Sequence, residues 1–378
     1  MPATNADPLD DPLLYVGVAD ATERGARRKL LRYCHRHGAS VEQLREAVRE
    51  DRLATLPLEF VLTSGRRYTL TAISRESGVP APYLRAMLLA LGNPNPKPRE
   101  RRYSEEDLRA AQALAAFLAA GLPRGELLEV ARVLGQSMAQ AAAAIRLFMG
   151  NALIEPGDSE HELGMRYVAA VEQLAPQLMP VLEYQLRIHL REQATRDVIG
   201  RTEREAGALS NTREVGVCFA DLSGFTRLGE RVPVEQVGAL GARMAELCME
   251  VAQPPVELVK TIGDGGMFVC ADVDALLDAA CALAQSVEHE GEQLPAMRAG
   301  VAFGPAVVRL GDWFGATVNR ASHIVDIAKP RTIVADGAAR EHSTQALAWK
   351  RTRRRSLRGI VGRSPPLYRL DLPAGGRS

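Results

Sequence analysis

The run Val215-Gly216-Val217-Cys218-Phe219-Ala220-Asp221-Leu222-Ser223-Gly224-Phe225-Thr226 decides how the second half of this chain folds. Residues 215–220 form a short apolar stretch, fit for a buried strand. The stretch ends on a carboxylate, Asp221, followed by small residues that predict a turn, with a helix soon after. Such a turn can offer backbone N–H groups to phosphate oxygens.

Downstream, strand and helix alternate. Residues 234–251 predict a helix, with Val237, Leu240, Met244, Leu247 and Val251 spaced by three and four. Residues 257–262 and 266–270 flank Gly263-Asp264-Gly265 and predict a β-hairpin. Residues 276–287 predict a second helix, and the alternation of Met297, Ala299, Val301 and Phe303 predicts a further strand. Residues 318–328 read as a helix, 332–335 as a strand and 368–372 as part of a closing strand. The order β-α-β-β-α-β, with additions, is the split βαβ plan of ferredoxin-like folds.

Before residues 205–213 the chain has another character. Residues 20–37, 41–51, 70–91, 104–120, 124–148 and 163–205 combine helix formers with apolar spacing of three and four, without a strong strand signal. Ser104 and Asp107 predict a capping box. In the charged run Leu182 to Arg204, Glu183 precedes Arg187 and Glu192 precedes Arg196 at i,i+4, which supports a helix. Gly207, Ser210 and Asn211 then break it. The expected fold class is α+β: an all-helical domain over residues 1–180, a linker helix over 181–212 and the alternating domain over 213–372.

Composition narrows the class. With 46% apolar and 25% charged residues, the 378-residue chain reads as a soluble globular protein of two or three domains. No apolar run approaches the roughly 20 residues a membrane span needs. Basic and acidic groups, 47 and 46, nearly cancel, so no global pull toward nucleic acid or lipid follows. The five isolated cysteines, Cys34, Cys218, Cys248, Cys270 and Cys281, include no CxxC. They fit a reducing cytosol rather than a disulfide framework or zinc ribbon, and a cytoplasmic location is expected.

Three segments carry chemistry. Asp221 ends the first strand and Asp264 sits at a hairpin tip, so the two meet at one edge if those strands are neighbours. Two convergent carboxylates are the usual protein part of a Mg²⁺ site that also uses substrate phosphates. Read singly, Asp221 is equally a helix cap and Asp264 a turn residue. In the third segment, Asp312 to His323, Asn319 and His323 are i,i+4 and share a face beside the apolar stripe Val318, Ala321, Val325 and Ala328. Only five of the 47 basic residues are lysines, so Lys260, just before the glycine turn, marks a place that wants a point charge rather than an Arg fork.

The motifs F-A-D-L-S-G-F-T (219–226), K-T-I-G-D-G (260–265) and D-W-F-G-x-x-V-N (312–319), in this order, resemble the class III nucleotidyl cyclases over about residues 213–372. The resemblance implies a ferredoxin-like βααββαβ catalytic domain that turns a nucleoside triphosphate into a 3′,5′-cyclic monophosphate and pyrophosphate. It implies that Asp221 and Asp264, with the Leu222 backbone, hold two divalent metal ions, Mg²⁺ or Mn²⁺. The backbone of Leu222, Ser223, Gly224, Phe225 and Thr226 would cradle the triphosphate. Lys260 would donate to adenine N1 and Asp312 accept from the N6 amino group; guanylate-selective relatives typically carry Glu and Cys there, so the pair implies ATP. Asn319 would orient the ribose. Arg358, just before Gly359, stands where the family often keeps a triphosphate-binding lysine. The family builds each site across a head-to-tail homodimer, with Asp221 and Asp264 of one subunit facing Lys260, Asp312, Asn319 and His323 of the other.

One position departs from the pattern. The transition-state residue of the family is usually an Arg four positions after the Asn; here it is His323. Imidazole is shorter and is charged only on the acid side of neutrality, so His323 is expected to work when protonated and to favour mildly acidic pH. Arg320, about 100° around the helix from Asn319, is a poor substitute.

The whole chain resembles actinobacterial two-domain cyclases whose N-terminal helical domain inhibits the catalytic domain and senses pH, with fatty acid as a second candidate regulator. That likeness implies that the helix over 182–204 transmits the switch and makes His189 a candidate proton sensor. Two rival readings remain. His323 points to a degenerate cyclase domain that binds nucleotide with negligible turnover. Residues 69–107 look like a helix-turn-helix followed by a helix of the MerR type, which points to a DNA-binding regulator, although residues 83–91 supply only Arg85 as a basic group.

Overall fold

The computed structural model describes residues 7–62, 67–95, 101–153, 155, 157–199, 212–309, 311–352 and 365–372. The chain divides into two units between Glu205 and Ala206.

The first unit is helical. The Asp20 carboxylate accepts from the Thr22 and Glu23 amides and starts α1 (Ala21–Arg36). A Ser40–Gln43 capping box opens α2 (Val41–Arg49), and α3 (Leu56–Leu62) follows. Next come α4 (Leu70–Ser77), α5 (Ala81–Ala90) and α6 (Glu105–Ala119), the last opened by the predicted Ser104–Asp107 box. Two long helices, α7 (Arg124–Leu153) and α8 (Glu160–Ile199), complete the unit. The helical stretch expected over 70–91 is two helices, because Gly78 takes the left-handed conformation that ends α4 and Pro80 caps α5. A bridge between Tyr68 and Tyr103, absent from the sequence reading, joins the segments that lead into α4 and α6. One core gathers Leu9, Leu14, Leu30, Leu31, Leu44 and Leu53; another gathers Tyr68, Leu70, Ile73, Leu84, Tyr103 and Leu114. Helix α8 runs unbroken across residue 180 despite Pro176 and Pro180 within it. Residues 200–211, with the predicted breakers Gly207, Ser210 and Asn211, lie outside the described residues.

The second unit is built on one mixed sheet. Its strands are β1 (Thr212–Leu222), β2 (Glu257–Ile262), β3 (Gly265–Cys270), β4 (Met297–Arg309), β5 (Asp312–Phe314), β6 (Thr332–Asp336), β7 (Lys350–Arg351) and β8 (Leu367–Asp371). The spatial order is β2-β3-β1-β4-β6-β8-β7, with β5 turned back onto β4. Between the strands run α9 (Phe225–Gly229), α10 (Val234–Val251), α11 (Val273–His289), α12 (Ala316–Ile327) and α13 (Gly337–His342). Strand alternation sorts the core into two faces. Cys218, Ala220, Leu222, Phe268, Met297 and Ala299 pack with α10 and α11; Val215, Val217, Met267, Val269 and Ala302 pack with Ala321 and Ile324 of α12. Among the described residues, no helix is long and apolar enough to cross a membrane.

Candidate active site

The β1 register places the carboxylates. Asp221 lies opposite Gly265 of β3 on one side and Arg298 of β4 on the other. Asp264 immediately precedes Gly265, in a two-residue turn whose first residue, Gly263, has φ +58°. Positive φ at that first position is what a tight hairpin turn asks of glycine. The edge contact anticipated from the sequence is therefore present: the charge of Asp221 acts on Asp264, and the Leu222 amide donates to the Asp264 carboxylate.

Arg298 is the residue the sequence reading missed. Its Nε and Nη2 donate to the two oxygens of Asp221 at 2.7 and 3.0 Å, and its Nη1 donates to the Asp326 carbonyl at the end of α12 at 3.0 Å. The alternation of Met297 and Ala299 toward one face puts residue 298 on the other, beside Asp221. That inference was available once β1 and β4 were known to be neighbours. Burial pushes the Asp221 carboxyl above the usual carboxylate range, and Arg298 pulls it partly back. Burial also raises Asp264, with the Asp221 charge adding to the rise.

These groups fit a hard divalent cation. Two half-buried carboxylates oppose each other's ionisation, which a cation between them would relieve. Two residues past Asp221, the buried Ser223 hydroxyl oxygen has no hydrogen-bond partner. No group of three or more His, Cys, Asp or Glu side chains suited to a metal occurs among the described residues; a cation at Asp221 and Asp264 would draw its other ligands from backbone, water and phosphate oxygens.

Of the five residues expected to cradle phosphate, two have engaged backbone amides. The Leu222 amide serves Asp264, and the Ser223 amide donates to the Ala296 carbonyl at 2.9 Å. Gly224, in the left-handed conformation, then leads into α9, which contains Phe225 and Thr226. Arg358 lies outside the described residues.

Lys260 and Asp312 come together as an ion pair, although 52 residues separate them. A bulge makes this contact. Leu258 pairs with Phe268 and Lys260 with Met267, so two residues of β2 oppose one of β3 at Val259. The extra residue moves Lys260 from the face of Phe268 to the face of Met267, where Trp313 and α12 also pack. Asp312 is held by the Trp313 amide, which donates to its Oδ1 at 2.8 Å.

Asn319 and His323 lie along one side of α12, Asn319 exposed and His323 half-buried, with His323 Nδ1 3.9 Å from Asp326 Oδ2. Arg320 is engaged elsewhere. Its Nε donates at 2.6 Å to Asp336, which is 1% exposed, and its Nη2 donates to the Phe303 carbonyl at 2.8 Å. In the helical unit, His189 is exposed on α8, 3.6 Å from Glu192.

Known proteins share both units. The adenylate cyclase regulatory domain family matches residues 5–194, and the adenylate and guanylate cyclase catalytic domain family matches residues 208–362. A pH-sensitive adenylate cyclase of Mycobacterium tuberculosis is 35% identical over 361 residues, covering 94% of this chain and 89% of that protein. An adenylate cyclase of Streptomyces griseus is 33% identical over 297 residues, covering 76% and 71%. Among solved structures, an adenylate/guanylate cyclase/hydrolase from Silicibacter pomeroyi matches 43% of this chain and 98% of its own at 24% identity and a TM-score of 0.39. With matching families over both units and a relative aligned along nearly its whole length, the chain belongs to the class III adenylate cyclases that carry a helical regulatory domain ahead of the catalytic domain.

Proposed function

We propose that this chain forms 3′,5′-cyclic AMP and pyrophosphate from ATP by in-line attack of the ribose 3′-hydroxyl on the α-phosphorus. The observation that carries the reading is the convergence of Asp221 and Asp264 at one end of β1. These two carboxylates, with the Leu222 backbone, would hold divalent ions, Mg²⁺ or Mn²⁺. Bound there, such ions supply activation of the attacking oxygen and neutralisation of charge on the leaving pyrophosphate. Arg298 keeps the Asp221 carboxylate oriented through its two-bond contact.

The other residues bind and position. Lys260 would donate to adenine N1 and Asp312 accept from the N6 amino group, and their mutual ion pair keeps both side chains in place before ATP arrives. Asn319 would orient the ribose, and the Gly224–Thr226 backbone would receive the triphosphate. His323 would add positive charge toward the transition state when protonated. Arg320 is unsuited to that task, being tied to Asp336 and Phe303. In this reading two subunits share each site: Asp221 and Asp264 of one face Lys260, Asp312, Asn319 and His323 of the other. The domain over residues 1–180 regulates, with protons or a fatty acid as effectors, and residues 181–212 carry the signal to residues 213–372.

One observation favours a second reading. With His323 in place of an arginine and Arg320 locked, the domain would bind nucleotide with negligible turnover. The DNA-binding reading gains little: α5 exposes Pro82, Arg85 and Leu89, and Arg85 is hydrogen-bonded to Asn95.

The test is cyclic AMP formation by the full chain with ATP and Mn²⁺ or Mg²⁺ from pH 5 to 8, together with complementation. Asp221→Ala and Asn319→Ala are each expected to be inactive, and their mixture to regain one intact site per heterodimer. No recovery in proven heterodimers refutes the shared geometry. ATP binding without product at any pH establishes the second reading.

A further inference from the structure

The helical unit holds a charged cavity that the catalytic reading leaves unused. It measures about 640 Å³ and lies between the N-terminal segment, α1 and the first turns of α8. Lys29, Arg32 and Arg36 line it at i, i+3 and i+7, one face of α1. The neighbouring carboxylates are already committed. Glu160 accepts from Nε and Nη2 of Arg27, itself 9% exposed, at 2.6 and 2.5 Å. Asp7 accepts from Arg28 at 3.2 Å and from the Leu9 amide at 3.0 Å, and Asp10 lies 2.8 Å from Arg28. Among the described residues, no carboxylate lies within ion-pair distance of Lys29, Arg32 or Arg36.

The opposite wall supplies a second, independent observation. His161 of α8 lines the cavity, and its buried Nδ1 has no hydrogen-bond partner. Burial and then the Lys29 charge lower its proton affinity, with Glu162 acting weakly the other way. His35 also faces the cavity, but its Nδ1 is engaged with the Ala39 carbonyl.

We propose that this cavity binds a small anion of the phosphate or pyrophosphate class, held by Lys29, Arg32 and Arg36 from α1, with the His161 ring of α8 lining the site beside them. Three cations facing one carboxylate that Arg28 already neutralises call for more than a single negative charge. Guanidinium groups match the oxygens of phosphate in pairs, and a lysine supplies a point charge beside them. Leu9 and Met165 line the remainder and leave room for a small organic substituent.

The test follows the His161 ring by NMR in the metal-free full chain, its signal assigned by loss in His161→Gln. This local readout is blind to binding at the catalytic site. Inorganic phosphate or pyrophosphate at constant ionic strength is expected to shift the His161 signal saturably and to raise its titration midpoint. The exposed pair Lys29→Gln/Arg32→Gln is expected to weaken that response by about tenfold or more. The proposal is overturned by no saturable shift at millimolar anion, by an equal response in the double variant, or by saturation with laurate but not with phosphate.

Discussion

Replacing Gly300 by alanine tests how the sheet holds the helix that carries Asn319 and His323. Helix α12 lies on β4 at this residue. A Cβ added to Gly300 would stand 2.6 Å from the Ala321 carbonyl oxygen and closer still to the Val325 nitrogen. Both are backbone atoms within α12, so no side-chain rotation relieves the clash. Restoring ordinary van der Waals separation requires moving α12 outward by roughly 1 Å. Overpacking of this kind costs about 1–3 kcal/mol and outweighs the roughly 0.4–1 kcal/mol gained by stiffening the unfolded chain. For a unit of this size the loss corresponds to a melting point lower by about 2–10 °C. If Asn319 and His323 act as proposed, displacing them by ~1 Å lowers turnover by about 100-fold. Lys260 and Asp312 stand on β2 and β5 rather than α12, so KM for ATP is expected to change little. Thermal unfolding and cyclic AMP formation under saturating ATP provide the measurements. A variant with unchanged melting point and turnover within a factor of two refutes the reasoning.

Three further outcomes follow from the same contacts. Arg298→Gln removes the group that pulls the raised Asp221 carboxyl downward, and metal binding needs the ionised form. The acid limb of Mn²⁺ affinity, read by electron paramagnetic resonance from pH 5 to 8, should therefore move to higher pH; a limb that stays in place contradicts the assignment. Lys260→Gln or Asp312→Asn removes one partner of the pair proposed to read the base and should lower kcat/KM for ATP by about 1.5–3 kcal/mol, roughly 10–150-fold, while narrowing the preference over GTP. Equal losses for both nucleotides would argue against base recognition. Arg320→Met leaves the buried Asp336 without its cation and should cost about 3 kcal/mol; a melting point within 2 °C of the parent would show that the pair contributes little.

Much of this protein was legible before any tertiary contact was known. The apolar run of β1, the three-four stripes of α10 and α12, the hairpin around Gly263-Asp264 and the Ser104–Asp107 cap depend on neighbours a few residues apart. Covalent geometry sets those periods, so they can be read along the chain. Asp221, Asp264, Lys260, Asp312, Asn319 and His323 were singled out by local motifs and by the family resemblance those motifs carry. The missing pieces depended on register and on which elements lie side by side. Arg298 meets Asp221 across 77 residues, and that contact exists only because β4 pairs with β1 in one alignment. The bulge at Val259 changes the face on which Lys260 emerges, although the sequence alternation there is unremarked by any glycine or proline. Arg320 was a poor substitute by its place around the helix, and its second disqualification, the ion pair with Asp336 of β6, appears only in the tertiary structure. The unpaired cations of α1 became a cavity wall only when Arg27 was found to occupy Glu160 and α8 to bring His161 opposite them. Local periodicity thus determined the elements and local motifs marked the candidate groups, while strand register and helix packing decided which charges neutralise one another.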